Sequence, residues 1–194
     1  MFRKCFLLVV AVAALVWSCT GKTGPAGQPA GAAVDDDSLS LVARVNEIYG
    51  TAIRHYNRVD SLMLGLIDPT GYHVDLDSMF CSADWNAWTA RVRAYDDEHN
   101  SGRIGFFGAD HWIMGQDWHD LSVSHVVVMS MTDTAAVASL LLHNCDEDIL
   151  VTLEMVKQQG EWKIDNFIDN SSGFDWKKGM NEYISSSLTD DDGR

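Results

Sequence analysis

The densest cluster of side chains that could do chemistry lies in one eleven-residue segment, DHWIMGQDWHD, at positions 110–120. Its two histidines and three carboxylates are groups that proteins use as general acids, general bases and metal ligands. Its two tryptophans could form the apolar walls that small-molecule pockets share. The candidate ligand-binding residues in this segment are Asp110, His111, Trp112, Asp117 and Trp118.

Three interpretations of this segment are open. It could be a structural lid, in which Trp112 and Trp118 close one end of the fold and Asp117 bonds to loop backbone. It could recognise a ligand, or it could supply catalytic or metal-binding groups. The sequence contains no Gly-x-Ser-x-Gly, His-Glu-x-x-His or P-loop motif, and side chains within a loop need not converge. We therefore predict no catalytic residue, no metal and no cofactor.

Hydrophobic periodicity predicts the elements that position this segment. Apolar residues at steps of three and four over 38–58 predict a long amphipathic helix, with a short second helical stretch around 61–67. Tyr49 and Tyr56 lie on the apolar stripe of the long helix. They are either core aromatics or candidate ligand-binding residues whose hydroxyls point into a pocket. Further helices are predicted over 75–80, 83–95 and 176–188, with an irregular segment over 96–120.

The hydrophobic period changes to two after position 120, which predicts four strands over 121–131, 135–142, 149–156 and 162–168. Gly160 is expected to take a positive φ in the turn between the last two strands. Helices followed by antiparallel strands are typical of an α+β fold. We expect a long N-terminal helix packed on a curved antiparallel sheet, which is the arrangement of the cystatin-like, or nuclear-transport-factor-2-like, cone.

Several short motifs carry a resemblance to a known group of proteins. They include Tyr49 and Tyr56 on the first helix, followed by Phe80-Cys81, Asp84-Trp85-Asn86, Gly105-Phe106-Phe107, Ala109-Asp110, Trp112, Gly115-Gln116-Asp117-Trp118 and Gly160-Glu161-Trp162-Lys163-Ile164-Asp165. Over about residues 40–170 the chain resembles bacterial envelope lipoproteins grouped as "domain of unknown function 3828". The resemblance implies the cone fold and no particular activity.

The N-terminus resembles a bacterial lipoprotein signal. Arg3 and Lys4 precede an apolar run over 5–17, which is too short to span a membrane, and Ser18-Cys19 follows. The resemblance implies cleavage before Cys19 and acylation of that cysteine. An ordinary secreted protein or an N-terminal helix of the fold are the alternatives. The predicted organisation is a signal peptide over 1–18, a lipidated Cys19 with a flexible tether over 19–37, one domain over 38–188 and a disordered acidic tail over 189–194.

The composition and the signal together indicate a location and a class of partner. The net charge of −14 argues against nucleic acid as a partner. Thr20 is not an acidic residue of the kind associated with retention in the inner membrane. We therefore expect the protein in the Gram-negative cell envelope, anchored in the outer membrane through lipid on Cys19 and facing the periplasm. The expected partners are that membrane and an unidentified small molecule or envelope protein.

Cys81 and Cys145 are the two cysteines that remain after the signal peptide and the acylated residue. An even pair in an exported domain makes them candidates for a disulfide. The alternative is two buried free thiols that behave as small hydrophobic side chains.

Three functions are compatible with these observations. The favoured hypothesis is a non-enzymatic module that binds a small molecule or a protein. An acid–base enzyme of the isomerase or dehydratase type could use the same cone pocket, and a purely structural envelope protein would need no pocket. Because one fold can host all three functions, the site must decide between them.

Overall fold

The computed structural model describes residues 36–68, 70–100 and 103–190, and these residues form four α-helices and one five-stranded antiparallel sheet. The predicted α+β fold is therefore confirmed. The predicted signal peptide, Cys19, all but the last two residues of the tether, and the end of the tail lie outside the described residues. Within the described ranges no helix is both long enough and apolar enough to cross a membrane.

The first helix, α1, spans Asp36–Met63. Its buried stripe consists of Leu41, Val45, Ile48, Tyr49, Ala52 and Tyr56. Gly65 ends the helix with a φ of 69°. The N–H of Leu66 donates to the carbonyl of Ser61, and the N–H of Gly65 donates to that of Leu62. This is a Schellman cap. Helix α1 therefore includes only the first three residues of the helical stretch predicted over 61–67, and residues 64–67 form turns and bends.

The sheet is a meander in which each strand pairs with the next along the chain. Its strands are β1 (Ser122–Met131), β2 (Ala135–Asn144), β3 (Glu147–Gln158), β4 (Glu161–Asp169) and β5 (Phe174–Asp175). The four long strands were predicted, whereas the two residues of β5 are too few to show an alternation. Gly160 has the predicted positive φ, 86°, in the β3–β4 turn.

Register shifts curve the sheet. They interrupt the pairing of β1 with β2 between Ser124 and Val127 and between Val128 and Ser130, and that of β3 with β4 after Glu154. Such irregularities bend a strand and increase its local twist. The curvature therefore arises from particular positions in the edge strand β1 and between β3 and β4.

Three further helices complete the fold: α2 (Leu76–Phe80), α3 (Ala83–His99) and α4 (Trp176–Asp190). Asp75 caps α2 by accepting a hydrogen bond from the Ser78 N–H, and Ser82 caps α3 by accepting one from the Trp85 N–H. The described residues between α3 and β1 are irregular, as predicted, apart from one 3₁₀ turn at Phe106–Gly108. The helix α3 continues to His99 instead of ending at Tyr95.

One hydrophobic core joins the helices to the sheet. Alternate residues of β2 and β3 are buried, which is the pattern of a sheet with one covered face. The most completely buried aromatic residues, each less than 2 % exposed, are Trp85 on α3, Tyr49 on α1 and Phe167 on β4. Trp85 and Phe167 meet with ring centroids 4.9 Å apart. This contact packs α3 against β4. It also holds α2 near β4, because α2 is joined to α3 by a short connection.

Both cysteines in the described part of the chain are free. Cys81 is buried directly after α2 and pairs in a short parallel bridge with Ile164 of β4. Cys145 is exposed in the turn between β2 and β3. The candidate Cys81–Cys145 disulfide is therefore not formed in the structure. The alternative of a buried free thiol holds for Cys81 alone.

Candidate functional site

The segment singled out by its composition begins as a closed loop before β1. The Asp110 N–H donates to the Gly115 carbonyl over 2.7 Å, and the Gly115 N–H donates back to the Asp110 carbonyl over 3.3 Å. These bonds form an isolated antiparallel bridge. The loop turns the side chains of His111, Trp112 and Ile113 inward, where 5 %, 3 % and 2 % of each residue is exposed.

A buried carboxylate on α2 holds this loop in place. Asp77 Oδ1 accepts a hydrogen bond from His111 Nε2 and another from Trp112 Nε1, each over 2.8 Å. Because an ionised carboxylate can only accept, His111 carries a proton on Nε2. The side chains of Asp77 and His111 are both 7 % exposed. The pair is therefore almost fully removed from water.

Asp77 is ionised at neutral pH in spite of its burial. Burial raises the pKa of the Asp77 carboxyl, but the hydrogen bond and charge of His111, with the side chains of Trp112 and Trp85, lower it from 3.8 to about 2. A second cation lies on the solvent side. Arg93 Nη2 is 3.9 Å from Asp77 Oδ2, and the Arg93 side chain is 61 % exposed. That separation exceeds a hydrogen bond, so this ion pair is weak.

Asp110 connects the loop to α1. The Tyr56 hydroxyl donates to Asp110 Oδ2 over 2.5 Å, and the Trp112 N–H donates to Asp110 Oδ1 over 2.8 Å. Burial and the charge of Asp110 raise the pKa of Tyr56, so its hydroxyl keeps its proton and acts as a donor. Each Asp110 oxygen retains a free acceptor position. The side chain is 39 % exposed and open to a ligand.

Aromatic rings enclose His111. The ring centroids of Trp85 and Phe167 each lie 4.8 Å from that of His111, and that of Trp176 lies 5.6 Å away. The imidazole is therefore held by ring packing as well as by its bond to Asp77. Its second nitrogen, Nδ1, is buried without a hydrogen-bond partner. Asp110 Oδ1 lies 4.0 Å from that nitrogen.

A cleft of about 380 Å³ lies beside these groups. Its size falls within the range of small-molecule sites. The polar part of its lining is supplied by His55, His73, Asp75, Asp77, Arg93 and Asp110, with Tyr56 and His111. Phe107 and Trp112 supply aromatic surface. The cleft is more polar than a typical drug-like pocket, which suits a small polar or charged ligand.

Two atoms of cleft-lining residues are buried without a hydrogen-bond partner, Asp77 Oδ2 and His111 Nδ1. A buried polar group without a partner costs about 1–3 kcal/mol, and such groups are rare in native proteins. Asp77 Oδ2 is an acceptor, whereas His111 Nδ1 accepts in the neutral ring and donates in the imidazolium.

Four of the residues singled out in the sequence, Tyr56, Asp110, His111 and Trp112, come together at this cleft. Tyr49 is 1 % exposed and packs edge-on against Trp112, with ring centroids 5.9 Å apart. It does not line the cleft. Its placement corresponds to the core-aromatic interpretation.

Asp117 and Trp118 lie outside the cleft. Asp117 is exposed and uses its backbone carbonyl, which accepts from Asn144 Nδ2 over 3.0 Å. The Trp118 ring centroid lies 5.2 Å from that of Tyr56, and Trp118 lines a separate depression with His119 and Asp120. The Asn144 bond ties the end of the segment to β2. The lid interpretation had the Asp117 side chain bond to loop backbone, whereas here the backbone carbonyl of Asp117 makes the contact.

Asp77, Arg93, His55 and His73 were not among the residues singled out. Aspartate in the first turn of a helix is ordinarily an exposed residue that interacts with the helix dipole, so no sequence pattern indicates that Asp77 is buried. Its partners His111 and Trp112 lie 34 and 35 positions along the chain. Across residues 36–68, 70–100 and 103–190 no three His, Cys, Asp or Glu side chains converge as a metal-ligand set.

Comparison with known proteins adds little to this geometry. No family model matches the chain, and no curated protein matches its sequence. A solved structure that matches is the phospholipid-binding protein from Ralstonia solanacearum in complex with a phospholipid, with 13 % sequence identity. The match covers 76 % of this chain and 85 % of that chain, with a TM-score of 0.37. A TM-score this low supports neither a shared topology nor a shared ligand.

Proposed function

We propose that this protein is a lipid-anchored cell-envelope protein whose cleft binds a small polar molecule without converting it. The observation that carries the binding proposal is a cleft of about 380 Å³ in which the partly exposed Asp110 carboxylate lies beside the Asp77–His111 pair. Asp110 and the aromatic ring of Trp112 complete a polar site with an apolar wall. The side chains are held by bonds to one another, so the site is formed before a ligand arrives.

The anchoring part of the proposal is supported by the N-terminal sequence. Ser18-Cys19 after a short apolar run is the pattern of an acylated cysteine, and Thr20 favours the outer membrane. Membership of the "domain of unknown function 3828" envelope lipoproteins, supported by the motifs between Tyr49 and Asp165, belongs to the same proposal. Labelling with a radioactive fatty acid tests it: the wild type should be labelled and Cys19→Ala should not. Equal labelling of both would contradict the proposed anchor.

Binding is favoured over covalent catalysis by the residues of the cleft. None of the described residues that line it is Ser, Thr, Cys or Lys, the side chains that most often act as nucleophiles. The hydroxyl of Tyr56 is engaged with Asp110 and has a raised pKa. It is therefore a poor nucleophile at neutral pH.

A second candidate function is an acid–base enzyme of the isomerase or dehydratase type. The observation that favours it is the bond between Asp77 and His111, because a carboxylate that orients an imidazole is a common arrangement in acid–base catalysis. The unpaired Nδ1 would then be the base. A purely structural envelope protein is the remaining alternative, and it would leave the cleft without a specific ligand.

Thermal unfolding of the full-length protein in detergent, in the presence of a library of small polar molecules, tests the binding proposal. A ligand that binds only the folded state raises Tm. A molecule that binds the cleft should raise the Tm of the wild type and of the control variant Asp133→Asn, which changes an exposed turn. The same molecule should not raise the Tm of Asp110→Ala. Turnover of any such molecule, lost in His111→Asn, would establish the enzyme instead. A library without a single stabilising molecule would leave the structural alternative.

A further inference from the structure

We infer that the end of α1 docks on the surface of a phospholipid bilayer, through an apolar tip formed by residues 62–67 and a basic depression beside it. The tip has the sequence LMLGLI. This inference rests on the anchoring part of the proposed function, because acyl chains on Cys19 would hold the domain near a bilayer. It goes beyond that part by assigning a surface of the folded domain to the membrane.

The apolar tip projects from the fold. Met63, Leu64 and Leu66 are 66 %, 66 % and 71 % exposed. Among the described residues, a Cβ atom placed on Gly65 would have no atom within 4 Å beyond its own neighbours in the chain, so open space surrounds the turn. Single exposed hydrophobic side chains are ordinary, but contiguous exposed apolar surface marks a site of interaction with a protein or a membrane.

The backbone of the tip is prepared for an apolar environment. The N–H groups of residues 64–66 all donate to carbonyls in the last turn of α1, over 2.9 or 3.0 Å. A turn that enters a bilayer loses water, and every unpaired backbone group then costs free energy. Because the Schellman cap already pairs these N–H groups, the side chains of the tip can enter lipid without leaving them unsatisfied.

A basic depression of about 490 Å³ adjoins the tip. Its lining includes Arg54, Arg58 and Tyr72, together with Ser61 in the last turn before the tip, and none of the described residues that line it is a carboxylate. Both arginines are exposed, and the Arg58 guanidinium lies 4.5 Å from the centre of the Tyr72 ring. In a chain of net charge −14, this depression is a local site of positive charge that can attract the phosphate groups of anionic lipids.

The acidic residues near the tip do not face this depression. Asp60 lines a separate depression with Trp118 and Asp120. Asp68 follows the tip, and its carboxylate accepts hydrogen bonds from the backbone N–H and the hydroxyl of Thr70. The depression therefore keeps its positive charge. Basic side chains beside exposed aliphatic ones are typical of segments that lie in a membrane interface.

The length of chain before α1 favours a bilayer as the occupant. Residues 20–35 separate Cys19 from the start of α1. That length of chain can reach at most about 55 Å when it is fully extended, and α1 is about 42 Å long. The far end of α1 can therefore touch the bilayer that holds the acyl chains. An anchor also keeps this bilayer at a high effective concentration, whereas a protein partner must first diffuse to the tip.

Fluorescence quenching in vesicles tests this inference. The acylated full-length protein carries Cys145→Ser, which removes the exposed thiol, and an environment-sensitive dye on Leu64→Cys or, as the control, on Asp133→Cys. Asp133 shares a depression with Asp37, at the opposite end of α1. The vesicles contain phosphatidylcholine, phosphatidylglycerol and a lipid that is spin-labelled on its acyl chain. This lipid should quench the dye at position 64 and not the dye at position 133.

Two pairs of variants, with the dye at position 64, separate the apolar contact from the basic one. The quenched fraction gives the ratio of docked to undocked protein. Leu66→Ser should lower this ratio at least about tenfold, whereas Ile104→Ser, which changes an 82 % exposed residue elsewhere, should not. Arg58→Gln should lower it about fivefold on anionic vesicles and less on pure phosphatidylcholine. Arg91→Gln, the control for loss of an exposed arginine, should have no effect.

The other outcomes overturn the inference in distinguishable ways. Quenching at position 133 alone, or equally at both positions, would show that the tip is not the docking surface. A dye at position 64 that is shielded from iodide in the water but not quenched by the lipid would show that another copy of the protein covers the tip. If the protein floats with the vesicles and neither dye is quenched, the anchor stands and the docking surface does not. If the protein does not float with the vesicles, the anchor and the docking surface are both excluded.

Discussion

Replacing Asp77 with asparagine tests whether the charge of a buried network stabilises this fold. Asparagine retains an oxygen that can accept from His111 Nε2 and Trp112 Nε1, so both bonds of 2.8 Å can be kept. The negative charge is lost, and an amide nitrogen replaces Oδ2, which has no hydrogen-bond partner. The variant therefore removes charge with little change of shape.

The magnitude follows from the pKa of Asp77, which lies at about 2 instead of 3.8. One pKa unit corresponds to about 1.4 kcal/mol, so ionised Asp77 contributes about 2 kcal/mol at pH 7. The side chain is 7 % exposed, so solvent screening reduces this value little. We expect Asp77→Asn to lower the free energy of unfolding by about 2 kcal/mol and Tm by roughly 4–8 °C.

The pH dependence gives a second, independent test. Because the folded pKa lies below the unfolded value, the contribution is present in full above the unfolded value and is lost as pH falls through about 2. Urea unfolding at pH 7 and pH 3 should therefore show the gap between wild type and variant shrinking to about half at the lower pH. Asp133→Asn serves as the exposed control. Equal stabilities of wild type and Asp77→Asn at pH 7, or a gap of the same size at both pH values, would refute the reasoning.

Three further predictions concern single side chains. Trp112→Ala should lower the free energy of unfolding by about 3–5 kcal/mol because the residue is only 3 % exposed. Trp112→Phe should lower it by only about 1.5–3 kcal/mol, through the lost hydrogen bond to the Asp77 carboxylate. Urea unfolding measures both variants, and equal losses of stability would contradict this account. Tyr56→Phe should lower stability by about 1–2 kcal/mol through its lost bond to Asp110, and an unchanged urea midpoint would show that this bond contributes nothing. Iodoacetamide should label Cys145 in the folded protein but Cys81 only after denaturation. Cys81 is buried, and its burial together with nearby Asp77 raises the pKa of its thiol. Mass spectrometry identifies the labelled cysteines, and protection of both cysteines before reduction would indicate a disulfide.

The long elements could be predicted from the sequence because each one buries a face over many residues. Helix α1 repeats its apolar stripe over several turns, and the long strands alternate over nine to twelve residues. The end of α1 was set instead by Gly65, whose φ of 69° closes the helix. The two residues of β5 pair with β4 through tertiary contacts that leave no periodic trace.

Some residues of the candidate site could be predicted from the composition of one segment, whereas others reach the site only through contacts with distant parts of the chain. The loop from Asp110 was recognisable because its polar and aromatic content exceeds what a connection needs. The bridge between Asp110 and Gly115 then divides the segment, so that the residues before it face the cleft and Trp118 does not. No local pattern could show this division, nor that Asp77 on a separate helix would be the buried partner.

The two oxygens of Asp77 have different roles, and this explains why an unsatisfied acceptor can persist in the fold. Oδ1 accepts from both His111 and Trp112 and so fixes the loop, which offsets the cost of leaving Oδ2 with only the weak ion pair to Arg93 and no hydrogen bond. Local departures from full hydrogen bonding are concentrated at functional sites. Substitution of Asp77 should therefore change stability and binding together. Substitution of the half-exposed Asp110 should change binding more than stability, so comparing the two variants separates the structural role of the network from its proposed role in recognition.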